Sequence, residues 1–302
     1  MISPRNRHAS ICIFTTSLLL TIGIATQGQS KRIGEKDVEK RSVGYDLVMN
    51  MFEHCAEVQT LRCKVSKTER YEGEYLSARS LITMKCVPYS VYLKQLEPTE
   101  GVEVLFREDR NNNKVLVNPN GFPWINLNLD PAGSLMRNKQ HHMVYDMGFS
   151  KFNRVLEHLL QKYDDRAHEM VSYVGEETIN GRKCGVVEIL NHFYSLTTYT
   201  VGTSETTRTV ADSLKIAEYR IIELNPQVSA YGPLKPGTVL TIPNDYAPKI
   251  RIFIDREWYI PVRFEVYDDD LKLFEAYEYE EIEINVPLKE GELTKGFKDY
   301  GF

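Results

Sequence analysis

YTVGTSETTRTVADSLKIAEYRIIELNPQVSAYGPLKPGTVLTIP occupies residues 199–243 and holds four elements in succession. Tyr199-Thr200-Val201 is a β-branched opening and reads as a strand. Val210, Ala211, Leu214 and Ile216 recur at near-helical intervals, and Ile221, Ile222 and Leu224 do so again, which predicts two short helices. Thr206 or Thr207 is placed to cap the first, because a hydroxyl there accepts from a free backbone N–H. Asn225-Pro226 ends the second, since the proline ring disfavours helical geometry in the residue before it. Pro233, Pro236 and Gly237 then turn the chain into Val239-Leu240-Thr241-Ile242, a partner for the opening strand. The order is β, α, α, β, and the two ends of such a unit lie side by side.

With YTV at its start, Ala211 in the first helix, ELNP at Glu223 to Pro226 and KPGTVLTIP from Lys235 to Pro243, the segment resembles a LysM module, the small glycan-binding domain of cell-wall proteins. It departs from that family in its first loop. Thr203, Ser204, Glu205, Thr206 and Thr207 stand where a Pro-Gly-Asp-Thr run is usual, and Arg208 takes a position usually held by a bulky residue. The resemblance implies a glycan groove in which Ser204, Glu205, Thr206 and Thr207 face Asn225, Pro226, Gln227 and Val228. Backbone amides and carbonyls there would hydrogen-bond N-acetyl groups of peptidoglycan.

Outside this unit the pattern is mostly strands. Before it come 61–69, 79–87, 90–96, 102–107 and 114–117, separated by turn signals at Glu72-Gly73, Pro88, Pro98 and Asn111-Asn112-Asn113; 170–175 and 183–190 follow, joined through Asn180-Gly181. After it, Ile250, Ile252 and Ile254 alternate with Lys249, Arg251 and Phe253, and Ile260, Val262, Phe264 and Val266 alternate with Pro261, Arg263, Glu265 and Tyr267. Such alternation predicts a sheet with one buried and one wet face. Tyr277 and Tyr279 share one parity, Ile282 and Ile284 the other, which predicts a β-bulge near Glu280. Short connections favour an antiparallel meander. Helices are expected over 36–57, where Val48, Met51, Phe52 and Cys55 fall at i, i+3, i+4 and i+7, and from residue 149 or 150 to 163, where Phe152, Val155, Leu156, Leu159 and Leu160 share a side. Residues 118–147, with three prolines, read as a long irregular connection. The βααβ unit is therefore an insertion between strands of a host sheet.

The host runs LRCKVSKTER, CVPYSVYLKQLEPTEGVEVLF, HHMVYDMGFSKF, INGRKCGVVEI, IFIDREWYIPVRFEVYD and FEAYEYEEIEIN, with the closing Phe297 to Phe302, resemble the bacterial family catalogued as domain of unknown function 1571 (DUF1571). That family is similar in turn to the LolA-like lipoprotein carriers. The resemblance implies a curled antiparallel half-barrel wrapped around helices, with an apolar cavity for acyl chains.

At the N-terminus Arg5 and Arg7 precede an apolar stretch over 11–25, too short for a membrane span, and Gly23-Ile24-Ala25 offers a cleavage site. This predicts a signal peptide over 1–30 and export to the periplasm or cell envelope of a Gram-negative-type bacterium. Cys12 lies inside the apolar run and is no acylation site. Removing the segment takes away two positive charges and no negative one, so the net charge of −5 becomes −7. An acidic exported chain has no electrostatic grip on nucleic acid. Cys55, Cys63, Cys86 and Cys184 remain. A hairpin register with Val65 opposite Met84 would set Cys63 opposite Cys86 and offer a disulfide; buried free thiols are the equal alternative.

Catalytic chemistry finds little footing. His141-His142 with Asp146 is the most tempting metal set, but adjacent residues on an extended segment point to opposite faces, so only one imidazole would join Asp146. Cys184 with His192 lies on an apolar strand pattern, where a packed thiol is the simpler reading. Glu280-Glu281 and Asp268-Asp269-Asp270 read as solvated edges and turns. Tyr89, Tyr92, Tyr277 and Tyr279 would either line a cavity or pack the sheet.

The expectation is thus an α+β chain: signal peptide at 1–30, host at 31–197 and 248–302, and LysM insertion at 198–247. It binds N-acetylglucosamine-containing peptidoglycan glycan and an acyl or lipid ligand, with no catalysis, no metal or other cofactor, no nucleic acid and no membrane span after cleavage. The alternatives are a peptidoglycan hydrolase targeted by its module, and an envelope scaffold whose module contacts protein.

Overall fold

Glu72 and Gly73, both at positive φ (50° and 83°), reverse the chain between its first two long strands and thereby set the register of everything beside them. These strands belong to a computed structural model that describes residues 35–108, 110–228 and 231–302. A helix, α1 (Glu35–Ala56), is followed by β1 (Thr60–Tyr71), β2 (Glu74–Lys85), β3 (Ser90–Glu97), β4 (Glu103–Arg107), β5 (Val115–Asn118) and β6 (Leu127–Leu129). Helices α2 (Ser134–Arg137), α3 (Ser150–Tyr163) and α4 (Ala167–Met170) come next, then β7 (Val171–Ile179), β8 (Arg182–Leu190) and β9 (Leu196–Thr200). The chain continues through α5 (Thr207–Leu214), α6 (Glu218–Leu224), β10 (Val239–Pro243), β11 (Lys249–Asp255), β12 (Pro261–Tyr267) and β13 (Leu273–Ile284).

Eleven strands form one antiparallel sheet in the order β6-β5-β4-β3-β2-β1-β13-β12-β11-β8-β7, and it is not closed into a barrel. The long predicted connection contains only β6, α2 and a 3-10 turn at Val144–Asp146. Val48, Met51, Phe52 and Cys55 of α1, and Phe152, Val155, Leu156, Leu159 and Leu160 of α3, are all buried in the same core as the sheet's apolar face. On the other face Phe253 is covered by the guanidinium groups of Arg251 and Arg263, 5.0 and 5.2 Å from its ring centre, so even the wet face of β11 is shielded. The expected bulge lies where β13 slips against β1, between the pairs Arg62↔Glu283 and Lys64↔Glu280.

The first hairpin corrects the expected register. Its turn is only Glu72-Gly73, with Glu74 and Tyr75 already in the strand, so Val65 faces Ser80 and Cys63 faces Ile82. Cys86 lies four residues beyond Ile82, about 13 Å along the strand, too far for the disulfide with Cys63. Cys55, Cys63, Cys86 and Cys184 are all free thiols. Burial pushes the Cys63 thiol up to about 12, so it is an inert packed group.

The segment 196–243 stands apart from the large sheet. β9 and β10 pair only with each other, Val239 opposite Thr200 and Ile242 opposite Thr197. They and the two helices enclose a separate core of Val201, Val210, Ala211, Ile216, Ile221, Val228, Leu234, Leu240 and Ile242. Thr206 caps α5 by accepting from the Thr209 N–H, and α6 gives way at Asn225 before Pro226. The host sheet closes behind this unit, because β8 and β11 are adjacent and Lys249 pairs with Leu190. The signal peptide expected over 1–30 lies outside the described residues. Among the described residues no helix is long and apolar enough to cross a membrane.

Candidate functional site

Cross-strand register builds the floor of a cavity. Ile82 faces Leu93, Leu93 faces Val104, and Val104 faces Val117, a row of apolar side chains running across β2 to β5. The opposite wall comes from α2, the 3-10 turn and α3, through Leu135, Met136, Met143, Val144, Phe152 and Val155. Between them lies a concavity of about 680 Å³, within the range of small-molecule sites. Tyr277 and Tyr279 line it. Of the other predicted tyrosines, Tyr92 stacks on Tyr300 at 3.6 Å, and Tyr89 donates to the Val144 carbonyl at 2.8 Å.

One end of the cavity is polar. Glu69 of β1 and Glu275 of β13 are directly opposite each other, and both are 1% exposed. Like charges in such a pair repel, and each carboxylate has its own set of donors. Glu69 accepts from Lys67 Nζ at 2.8 Å and from the Tyr277 hydroxyl. Glu275 Oε1 accepts from the Tyr246 hydroxyl at 2.7 Å, while His141 Nδ1 and His142 Nε2 both stand 2.9 Å from its Oε2. Burial works against ionisation of Glu69, but Lys67 and the histidines outweigh it and hold its carboxyl at about 2. Glu275 is driven below the usual carboxylate range as well, its burial overcome by His142 and His141. Burial also opposes the charged form of His142, yet Glu275 beside it raises its pKa.

The histidine pair behaves differently from the sequence expectation. Residues 141 and 142 sit in a bend rather than an extended run, so both rings turn toward Glu275. Asp146 is held mainly by Arg208, through two hydrogen bonds of 2.8 and 2.9 Å, and of the two imidazoles it is His142 that stands near it, Nδ1 3.9 Å from its Oδ2. Glu69, Glu275 and Tyr246 went unnoticed in the sequence, and Tyr277 was read only as a cavity or sheet-packing residue, because strand pairing alone brings residues about two hundred positions apart together. A usable signal was there: Glu69 shares the parity of Leu61, Cys63 and Val65, and Glu275 that of Tyr277 and Tyr279.

The eight residues expected to face a glycan divide by environment. Ser204, Pro226 and Gln227 are exposed, and Glu205 and Thr206 are half-buried. Glu205 accepts from the Gly202 N–H and the Tyr199 hydroxyl, at 2.7 and 2.6 Å. Thr207 is fully buried and donates to Glu218 Oε1 at 2.7 Å. Asn225 is 2% exposed and ties Ile221 to Thr241, and Val228 belongs to the unit's core. The first loop runs beside 232–234, since Thr207 N donates to Gly232 O at 3.0 Å and Leu234 N to Glu205 O at 2.9 Å.

The unit docks on the polar end of the cavity. Tyr219 of α6 stacks on His141 and Tyr71, at 4.5 and 5.0 Å. Glu218 pairs with the buried Arg137 at 2.9 Å, and Glu223 with Arg70 at 3.1 Å. Cys184 and His192 are not brought together: the thiol is buried near the start of β8, and His192 is exposed beyond its other end. Asp268 is buried against Arg70 at 2.7 Å, Asp269 pairs with Arg220, and Glu280 with Arg79 at 2.6 Å. Glu281 pairs with Lys64, and Asp270 with Lys272 at 3.1 Å.

A family model described as Protein of unknown function (DUF1571) matches residues 58–196 and 240–302. The match is interrupted over 197–239, within the βααβ unit. No curated protein matches the chain. Similar solved structures include a DUF1329 family protein from Desulfovibrio piger, with 12% identity over 85% of this chain and 98% of that one, at a TM-score of 0.34. Lipoprotein LppX of Mycobacterium tuberculosis is 11% identical over 82% of this chain and 98% of its own, at 0.40. The MucA/MucB complex of Pseudomonas aeruginosa matches at 12% identity and 0.40, over 84% of this chain and 61% of that one.

Proposed function

The chain belongs to the DUF1571 family, and from that premise we propose that it is an exported, non-catalytic protein of the bacterial cell envelope. Its host domain holds an acyl chain or lipid, and its βααβ unit is a LysM module that tethers it to peptidoglycan. The observation that carries this reading is the apolar concavity of about 680 Å³ between the sheet and α3. Each methylene buried in such a place contributes about 0.8 kcal/mol, so a long acyl chain is the ligand that gains most from it. Burial of the ligand needs no chemistry from the protein. The tether rests on the sequence resemblance and on the separate core of the unit, with Ser204, Pro226 and Gln227 exposed for a sugar.

Native mass spectrometry of the protein purified from its own envelope tests the cavity. An acyl-bearing ligand is expected on the wild type and is lost in Val104→Trp, which fills the floor; repeated absence of any such ligand from the wild type refutes a carrier. Co-sedimentation with peptidoglycan sacculi tests the tether. Wild type should pellet and the Ser204→Ala/Gln227→Ala double variant should remain largely in solution. Equal pelleting of the two would end the groove assignment, and release of soluble muropeptides would favour the hydrolase reading.

A second reading has its own support: Glu218, Tyr219 and Glu223 of α6 are all engaged with the host. On this reading the unit braces the host, and neither protein form binds sacculi.

A further inference from the structure

We propose that Glu69, Glu275, His141 and His142 form a binding site for a divalent transition metal of the zinc type. The inference is independent of whether the cavity carries lipid.

The argument starts from hydrogen-bond donors. His141 Nε2 stands 2.7 Å from the Arg70 carbonyl oxygen, which can only accept, so this nitrogen carries a proton. A neutral ring then has a bare lone pair on Nδ1, and Nδ1 is 2.9 Å from Glu275 Oε2. Two acceptors at that distance require something between them: a proton, on the ring or on the carboxyl, or a metal ion. His142 Nε2 points at the same oxygen from another side, also at 2.9 Å. The donor atoms of Glu69, His141 and Glu275 all lie within 4.8 Å of one another.

Charge points the same way. Asp146 is matched by Arg208, and Glu69 by Lys67, but among the described residues Glu275 is held by the two rings and a neutral tyrosine alone. Two nitrogen and two carboxylate donors suit zinc and its first-row neighbours. Two ligand atoms each about 2.1 Å from a zinc ion stand roughly 3.0–3.4 Å apart, so the two contacts to Glu275 at 2.9 Å open by tenths of an ångström, while the wider pairs of the group, spread over up to 4.8 Å, close around the ion. The surroundings are those of a metal centre. His141 gives its remote N–H to a backbone carbonyl, and Tyr246 and Tyr277 donate to the two carboxylates, which fixes ring tautomer and carboxylate orientation. Lys67 is 22% exposed along its side chain and can leave Glu69 for solvent when a cation arrives. His142, Glu69 and Glu275 also line the open cavity, which supplies the route in.

The test uses the full-length protein, dialysed against Zn2+ and then freed of excess. Elemental analysis should give one zinc per chain, and Co2+ in its place should give the visible absorption of a low-coordinate N/O site. The His142→Gln variant, which keeps an amide donor for Glu275 at a quarter-exposed position, should bind zinc at least about 10–100-fold more weakly, and zinc should raise the Tm of the wild type but not of the variant. Nitrogen NMR of the imidazoles gives a readout on the wild type alone: zinc should shift His141 Nδ1 and leave Nε2 protonated. No zinc on the wild type, equal zinc on both proteins, or two doubly protonated rings unmoved by zinc would overturn the proposal.

Discussion

Asn225 carries more structure than its place in a loop before proline suggests. Its amide donates to the carbonyls of Ile221 and Thr241, at 2.6 and 2.7 Å, and its oxygen accepts from Thr241 N–H at 2.8 Å. One side chain thereby joins the end of α6 to the middle of β10. Asn225→Ala leaves these groups buried without partners, at about 1–3 kcal/mol for each group not rescued by water. The expected loss is roughly 2–4 kcal/mol, read by urea unfolding of the full chain. Gln227→Ala, two residues on and exposed, should stay within about 0.5 kcal/mol. A similar cost for both would mean that Asn225 is not the tie the geometry makes it. The sequence placed both residues in one groove, because a polar residue flanking a turn reads alike whether it faces solvent or the backbone. The carboxylate pair was hidden for a different reason: Glu69 and Glu275 meet only through the closure of β1 against the last strand.

Helix α1 shows how far a periodic pattern reaches and where it stops. The spacing of Val48, Met51, Phe52 and Cys55 announced the helix and its buried face, as the apolar stripe did for α3, because a helix repeats its burial every three to four residues. Strand registers were less legible: a turn centred two residues earlier in the chain shifted the pairing by four residues, so that Val65 faces Ser80 and Cys63 is displaced from Cys86, without changing which segments are strands. How closely α1 lies on the sheet is not written in the pattern at all. A Cβ on Gly44 would meet Tyr173 N at 2.7 Å and the Ser172 carbonyl carbon at 2.9 Å, both backbone atoms of β7. Gly44→Ala gains about 1 kcal/mol in helix propensity, but overpacking against an unyielding strand costs about 1–3 kcal/mol. The clash should prevail, and the variant should melt a few degrees below wild type. A higher Tm would show that the helix rides further from β7.

At the scale of the whole chain the question is what the βααβ unit contributes beyond its own fold. The sheet does not need it, since β8 pairs with β11 behind it, and Asn244 N already donates to Ser195 O at 3.0 Å where the chain departs and returns. A Gly-Gly link from Ser195 to Asn244 should therefore leave a folded host. Two buried charges of the host would lose partners, Asp146 its Arg208 and Arg137 its Glu218, and Arg137 gives the cleaner test. It is 2% exposed, 2.9 Å from Glu218 and 3.8 Å from the ring of Tyr231, and both partners leave with the unit. An unpaired buried charge costs about 3–5 kcal/mol, so the deletion should be destabilised by that order, and Arg137→Met made in the deletion background should recover much of the loss. In the intact chain the same substitution strands Glu218 and should destabilise. The sign of one mutation thus reverses with its background, and losses common to both deletion forms, such as the stacking of Tyr219, cancel from the comparison. Thermal unfolding of the four proteins measures it. Equal destabilisation by Arg137→Met in both backgrounds would place the partner of this guanidinium in the host and reduce the docking of the unit to surface contact.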